Sequence, residues 1–135
     1  MKKKVLIFTT IVSLILCFTA CGDDNKGTTT EPEVPKIEKT VDAVAKELGL
    51  KNKTEKSAEM IGAVDGAGYD GDIEIYLYDN LDSEEYKALT GDGYDMMGLT
   101  TIKATAAKDG MVLIYTGDGE IDQSIVDSFN ALEFK

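Results

Sequence analysis

Basic, apolar and small residues follow one another at the start of this chain, and that order decides how much of it is left to fold. Lys2, Lys3 and Lys4 come first. An apolar run from Val5 to Phe18 follows, interrupted only by Thr9, Thr10 and Ser13, and Thr19 and Ala20 then precede Cys21. This is the pattern of an export signal. A membrane-spanning helix needs about 20 apolar residues. The present run is shorter and gives way at once to Gly22, Asp23 and Asp24, which favours a cleaved signal over a permanent span. About a hundred residues then remain, enough for one domain with a modest core.

The segment Phe18 to Cys21, FTAC, resembles the lipobox of bacterial lipoproteins. In that family the cysteine thiol is diacylated and a peptidase cuts in front of it, with a small residue on the N-terminal side. Ala20 and Cys21 match those positions, while Phe18 stands where leucine is usual. The resemblance implies a signal peptide over residues 1–20 and a lipid on Cys21. It places the protein on the extracytoplasmic face of the cell membrane. It covers only residues 1 to 21 and says nothing of the domain beyond. The stretches EIYLYD and DQSIVDSFNALEF resemble small uncharacterised lipoproteins of Gram-positive bacteria, a likeness that implies no residue roles.

Cys17 would leave with the signal, so Cys21 would be the one cysteine of the processed chain, and it would be capped. That leaves neither a disulfide nor a cysteine metal site. Processing also removes three of the 14 lysines and none of the 25 acids, for a net charge near −14. Such a surface repels nucleic-acid phosphates and anionic headgroups. It suits solubility, cations or basic partners.

Residues 21–35 read as a flexible, disordered linker, because GDDNKGTTTEPEVP lacks apolar periodicity and holds two prolines. Stretched, it would span roughly 50 Å; as a coil it would average about 20 Å. Residues 36–135 read as a small acidic α+β domain. Ile37, Val41, Val44, Ala45 and Leu48 recur at helical spacing and Gly49 stops the helix. Met60 to Val64 is a predicted strand, Asp65 to Asp72 (DGAGYDGD) a loop, and Ile73 to Tyr78 an alternating strand. A second helix begins with Asp82 as cap and Glu85 as its capping-box partner, and ends before Gly91. Gly91 to Asp95 reads as a loop.

Residues 99–116 read as a hairpin about Asp109-Gly110, a strong turn signal. A two-residue loop pairs Lys108 with Met111, Ala106 with Leu113 and Ala104 with Tyr115. Ile102, Ala104, Ala106, Met111, Leu113 and Tyr115 then form the core face. The last helix runs from about Glu120 to Leu132 on the stripe Ile121, Ile125, Phe129 and Leu132. The predicted order is α-β-β-α-β-β-α, a four-stranded antiparallel-rich sheet with helices packed on one face.

The chain has no histidine and no arginine. Serine triads, imidazole metal sites and bidentate arginine clamps are therefore excluded. No phosphate-binding motif follows a strand, and nothing implies a cofactor. An EF-hand set on Gly119 would put Ile114 and Ile125 at ligand positions, and one set on Gly93 would start at Ala88; both fail. Asp65, Asp70 and Asp72 are candidates for an irregular Ca²⁺ site, although turn chemistry explains the same residues. If helices cover one side only, the other sheet face shows Tyr76, Tyr78, Val112 and Ile114 beside Glu74, Lys103 and Thr105, a candidate binding face; otherwise a loop or the last helix covers it.

The sequence therefore points first to a membrane-tethered, non-enzymatic binding or accessory domain of the cell envelope. Its partners would be the membrane, through the lipid on Cys21, and a protein or glycan, with no nucleic acid. The alternatives are a Ca²⁺-binding module and a small carboxylate-based hydrolase.

Overall fold

The computed structural model describes residues 34–135. The predicted signal segment, Cys21 and the linker up to residue 33 lie outside the described residues.

Residues 34–135 form a mixed α+β domain. Its centre is an antiparallel sheet of five strands, in the order β2 (Thr54–Glu55), β3 (Asp65–Tyr69), β4 (Ile73–Leu77), β8 (Met111–Tyr115) and β7 (Ala106–Lys108). Two small ladders flank it. β1 (Lys36–Ile37) pairs in parallel with β9 (Glu133–Phe134), and β5 (Tyr94–Met96) pairs antiparallel with β6 (Thr100–Ile102). The helices are α1 (Val41–Glu47), α2 (Glu84–Thr90) and α3 (Gln123–Ala131), with a 3₁₀ turn at Ala58–Ile61.

Alternation in β4 and β8 builds two cores, one on each side of the sheet. Ile73, Ile75, Met111 and Leu113 pack with Ala67 and Tyr69 against Val41, Val44 and Ala45 of α1, Phe129 of α3 and Leu132. Tyr76, Tyr78, Val112 and Ile114 pack on the other side against Leu89 of α2 and Ala58 and Ile61 of the 3₁₀ turn. The expectation of four strands with helices on one face is thus corrected to five strands covered on both.

Local chemistry sets the ends of the helices. Thr40 caps α1, its hydroxyl accepting from Ala43 N at 3.2 Å. Past the other end, Gly49 has φ +70; Gly49 N donates to Lys46 O and Leu50 N to Ala45 O. This is the Schellman closure that a left-handed glycine permits. α1 starts later than predicted because Ile37 is taken into the ladder with β9. Ser83, not Asp82, caps α2, accepting from Tyr86 N at 3.2 Å, so the third helical residue is Tyr86 and the expected Asp82–Glu85 box does not form. Asp122 caps α3 through Ser124 N.

Two strand expectations are also corrected. Met60 to Val64 holds the end of the 3₁₀ turn and a left-handed Gly62 at φ +73, not a strand. The predicted loop begins instead with β3. Ala67 and Tyr69 face the first core, and Gly66 and Gly68 face the second, opposite Tyr76 and Glu74. The glycines leave room there: a Cβ at Gly66 would overlap the Tyr76 ring, and one at Gly68 would lie 2.6 Å from Thr54 Oγ1.

The expected turn at Asp109-Gly110 forms, with φ of 51° and 86°, and Ala106 stands opposite Leu113 and Lys108 opposite Met111. The run before it does not continue as one strand. Ala104 N donates to Leu89 O, so the chain leaves the sheet there. Ile102 and Ala104 therefore pack against the second core, not the first.

Gly66→Ala should destabilise the domain by about 1–3 kcal/mol through overpacking, measured by urea denaturation. In a Tyr76→Ala background the same change should cost far less, because the ring it meets is gone. Equal costs in both backgrounds would refute the packing account.

Candidate functional site

The four residues of the predicted binding face do share one side of the sheet, but they are not a surface. Tyr76, Tyr78, Val112 and Ile114 are all buried. The 3₁₀ turn, α2 and the hairpin β5–β6 close over them, with Tyr86, Tyr94, Met96 and Ile102 packed against the cluster. Tyr78 shows why the cover fits. Its hydroxyl donates to Ile61 O at 2.7 Å, and its ring lies 5.2 Å from that of Tyr86, tilted by 59°. A buried hydroxyl needs such an acceptor, and meeting it ties the 3₁₀ turn to the sheet.

On the same face of β4, Tyr76 donates to Glu74 Oε2 at 2.8 Å and Lys56 Nζ lies 2.7 Å from Glu74 Oε1. Asp42 is the acceptor on the other side: Lys53 donates at 2.6 Å and Tyr69 at 3.1 Å. The bond from Lys53, then that from Tyr69, holds the Asp42 carboxyl below its ordinary range. The pair is exposed, so its stabilisation is small, and it fades as pH falls through the lowered pKa.

The three acids proposed for Ca²⁺ do not converge. Asp65 opens β3 and Asp70 lies just past its other end, roughly 17 Å along the strand. The Asp65 carboxylate accepts from Gly66 N, and that of Asp70 from Lys51 N and Asn52 Nδ2. Asp70 turns the chain at φ 53° and Gly71 at φ 94°. Asp72 offers its carbonyl to Thr116. Among the described residues, no three His, Cys, Asp or Glu side chains are grouped to hold a metal.

What the domain does expose is a different apolar surface. The turn of hairpin β5–β6 runs Met97-Gly98-Leu99, with Met97 94 % exposed and Leu99 88 %. Met60, 59 % exposed, comes up beside it from the 3₁₀ turn. Together with Tyr94, Asp95, Met96 and Thr100 they line a groove of about 250 Å³. Hydrogen bonds shape the turn: Gly98 N donates to Asp95 Oδ1 at 2.8 Å and Leu99 N to Met96 O at 3.0 Å. Met97 sits at φ 55°, a left-handed conformation that costs a residue with a Cβ about 1–2 kcal/mol and that turns usually give to Gly, Asn or Asp. The sequence did carry a signal for this surface, the apolar run Met96-Met97-Gly98-Leu99 where turn chemistry calls for polar residues.

No family model, curated protein or solved structure matches the chain.

Tyr69, Tyr76 and Tyr78 should resist ionisation. Burial, reinforced by the bond to Asp42, pushes Tyr69 up to about 12. Burial first, then Glu74, pushes Tyr76 up, and burial first, then Glu85, pushes Tyr78 up. The unfolded chain releases these protons near pH 10. Stability is therefore full below pH 10 and falls as pH rises through the folded values. Ultraviolet difference absorbance should show these three phenols titrating together with unfolding. Their reversible titration near pH 10 in a folded protein would contradict the burial described.

Proposed function

We propose that the chain is a lipid-anchored domain on the extracytoplasmic face of the cell envelope that binds a partner and catalyses no reaction of its own. The observation that carries the binding part is the exposed surface of Met60, Met97 and Leu99. An exposed apolar patch loses free energy to water on a free monomer and regains it against a partner. Methionine suits such a surface, because its unbranched thioether adapts to the shape it meets. Four of the seven lining residues are methionine or leucine, with Tyr94, Asp95 and Thr100 making up the rest, which favours a polypeptide over a glycan, whose hydroxyls need more directed donors and acceptors. The anchoring part rests on the FTAC segment and Cys21, with residues 22–35 as spacer. Among the described residues, no helix is long and apolar enough to cross a membrane.

Cys21→Ala should leave an uncut precursor or release the protein from membranes, followed by fractionation and intact mass. A variant processed and retained like the wild type would sink the anchor.

Met97→Asn with Leu99→Ser should leave the melting temperature unchanged or slightly raised, since asparagine tolerates φ 55° better than methionine does. The same variant should abolish crosslinking from a photoreactive side chain placed at Met60 in intact cells. Crosslinking that persists undiminished would remove this surface as the binding site.

A further inference from the structure

Resting on that reading of the surface, we propose that the groove docks a basic amphipathic segment of another polypeptide. Asp95 is the charged residue of the groove lining, and Glu59 stands next to Met60 in sequence. Both acids are exposed, and the stretches around the lining residues, 57–65 and 88–102, hold no lysine. The lysines next to these stretches are engaged elsewhere: Lys56 lies 2.7 Å from Glu74 and Lys87 3.1 Å from Asp82. Among the described residues, Lys103, one residue past β6, is the nearest in sequence with no acid within ion-pair distance.

An apolar groove with Asp95 in its lining and Glu59 next to Met60 selects for apolar side chains with cations beside them. A helix with an apolar stripe and a lysine- or arginine-rich flank has that pattern. The same border argues against the other occupants. Anionic lipid headgroups would meet like charge, and so would a second copy of this chain, since each copy would bring its own Glu59 and Asp95 to the contact.

The test is fluorescence anisotropy of two labelled synthetic peptides against the purified full-length protein. Both carry leucine at helical spacing, one with lysines and one with glutamates on the flank. Two double variants accompany the wild type: Met97→Asn with Leu99→Ser, and Glu59→Gln with Asp95→Asn. An asparagine at position 95 keeps an oxygen for Gly98 N, and unchanged melting curves establish that both variants are folded.

The Leu–Lys peptide should bind and the Leu–Glu peptide should not. The apolar double variant should weaken binding about tenfold or more. The charge double variant should weaken it about threefold to tenfold, with the difference shrinking as salt rises. Several results would overturn the proposal. Equal binding of both peptides, lost only in the apolar variant, would leave a binding surface without preference for basic segments. Binding of the Leu–Lys peptide unaffected by either variant would assign it to general attraction by an acidic protein. Peptide failure together with sedimentation on neutral or anionic vesicles, or with self-association, lost in the apolar variant, would assign the surface to lipid or to a second copy. Failure of every probe, with crosslinking from Met60 unchanged in the apolar variant, would remove the binding reading itself.

Discussion

The pairing of β4 with β8 is the constraint on which the rest of the domain depends. These two strands run antiparallel over five residues each, from Ile73 opposite Tyr115 to Leu77 opposite Met111. Seven of their ten residues are buried and the other three half-buried, on one face or the other. A half-buried sheet would accept cover on one side only. This one needs a layer on each, and the chain supplies them in turn: α1 and α3 for the aliphatic face, the 3₁₀ turn, α2 and the hairpin β5–β6 for the tyrosine face. Two thin cores in about a hundred residues leave little spare apolar material. Well-placed bonds hold the cover of the tyrosine face: Tyr78 ties the 3₁₀ turn to the sheet through Ile61 O, and Ala104 N ties the β5–β6 segment to α2 through Leu89 O.

Those bonds connect the core to the exposed groove. Tyr78 fixes the 3₁₀ turn and so the position of Met60. Gly93 N to Ala88 O and Ala104 N to Leu89 O fasten both ends of the β5–β6 segment to the end of α2. Tyr94 and Ile102, paired across the hairpin, turn inward to the core, and the loop beyond them carries Met97 and Leu99 outward. A hairpin held at its base and free at its tip presents side chains in a defined place without burying them.

Much of this was legible wherever the signal was local. The turn at Asp109-Gly110, the register of the strands beside it, the parity of Ile73 to Tyr78 and the glycine stop after α1 all follow from backbone preferences of a few residues. What was not legible depended on contacts distant in sequence. DGAGYDGD reads as a loop because Gly and Asp favour turns, yet its first five residues are a strand: the glycines are small where Tyr76 and Glu74 of the neighbouring strand need space. Met60 to Val64 reads as a strand by composition, but Gly62 at φ +73 ends a 3₁₀ turn there. The parity of Tyr76 and Tyr78 was readable; whether anything covered them was not, because the cover comes from residues 58–61 and 86–104 folding back over the sheet. Exposure thus passed from the tyrosines expected to show it to methionines that the sequence reading had left without a role.

That exchange bears on what selects the residues of the hairpin tip. Met97 makes its turn harder to form, since an unbranched apolar side chain gains nothing at a left-handed, fully exposed position that asparagine or glycine would fill at lower cost. Leu99 beside it exposes its side chain to water, and Met60 across the groove does the same from a different element. Departures from local preference in two elements thus meet at one surface. The helix caps and the glycine turns elsewhere follow local preference: Thr40, Ser83 and Asp122 cap helices, and Gly49 and Gly110 take left-handed positions. A fold whose turns and caps are otherwise well matched to their residues gains no stability from departing at the groove, and the proposed binding role is what accounts for that departure.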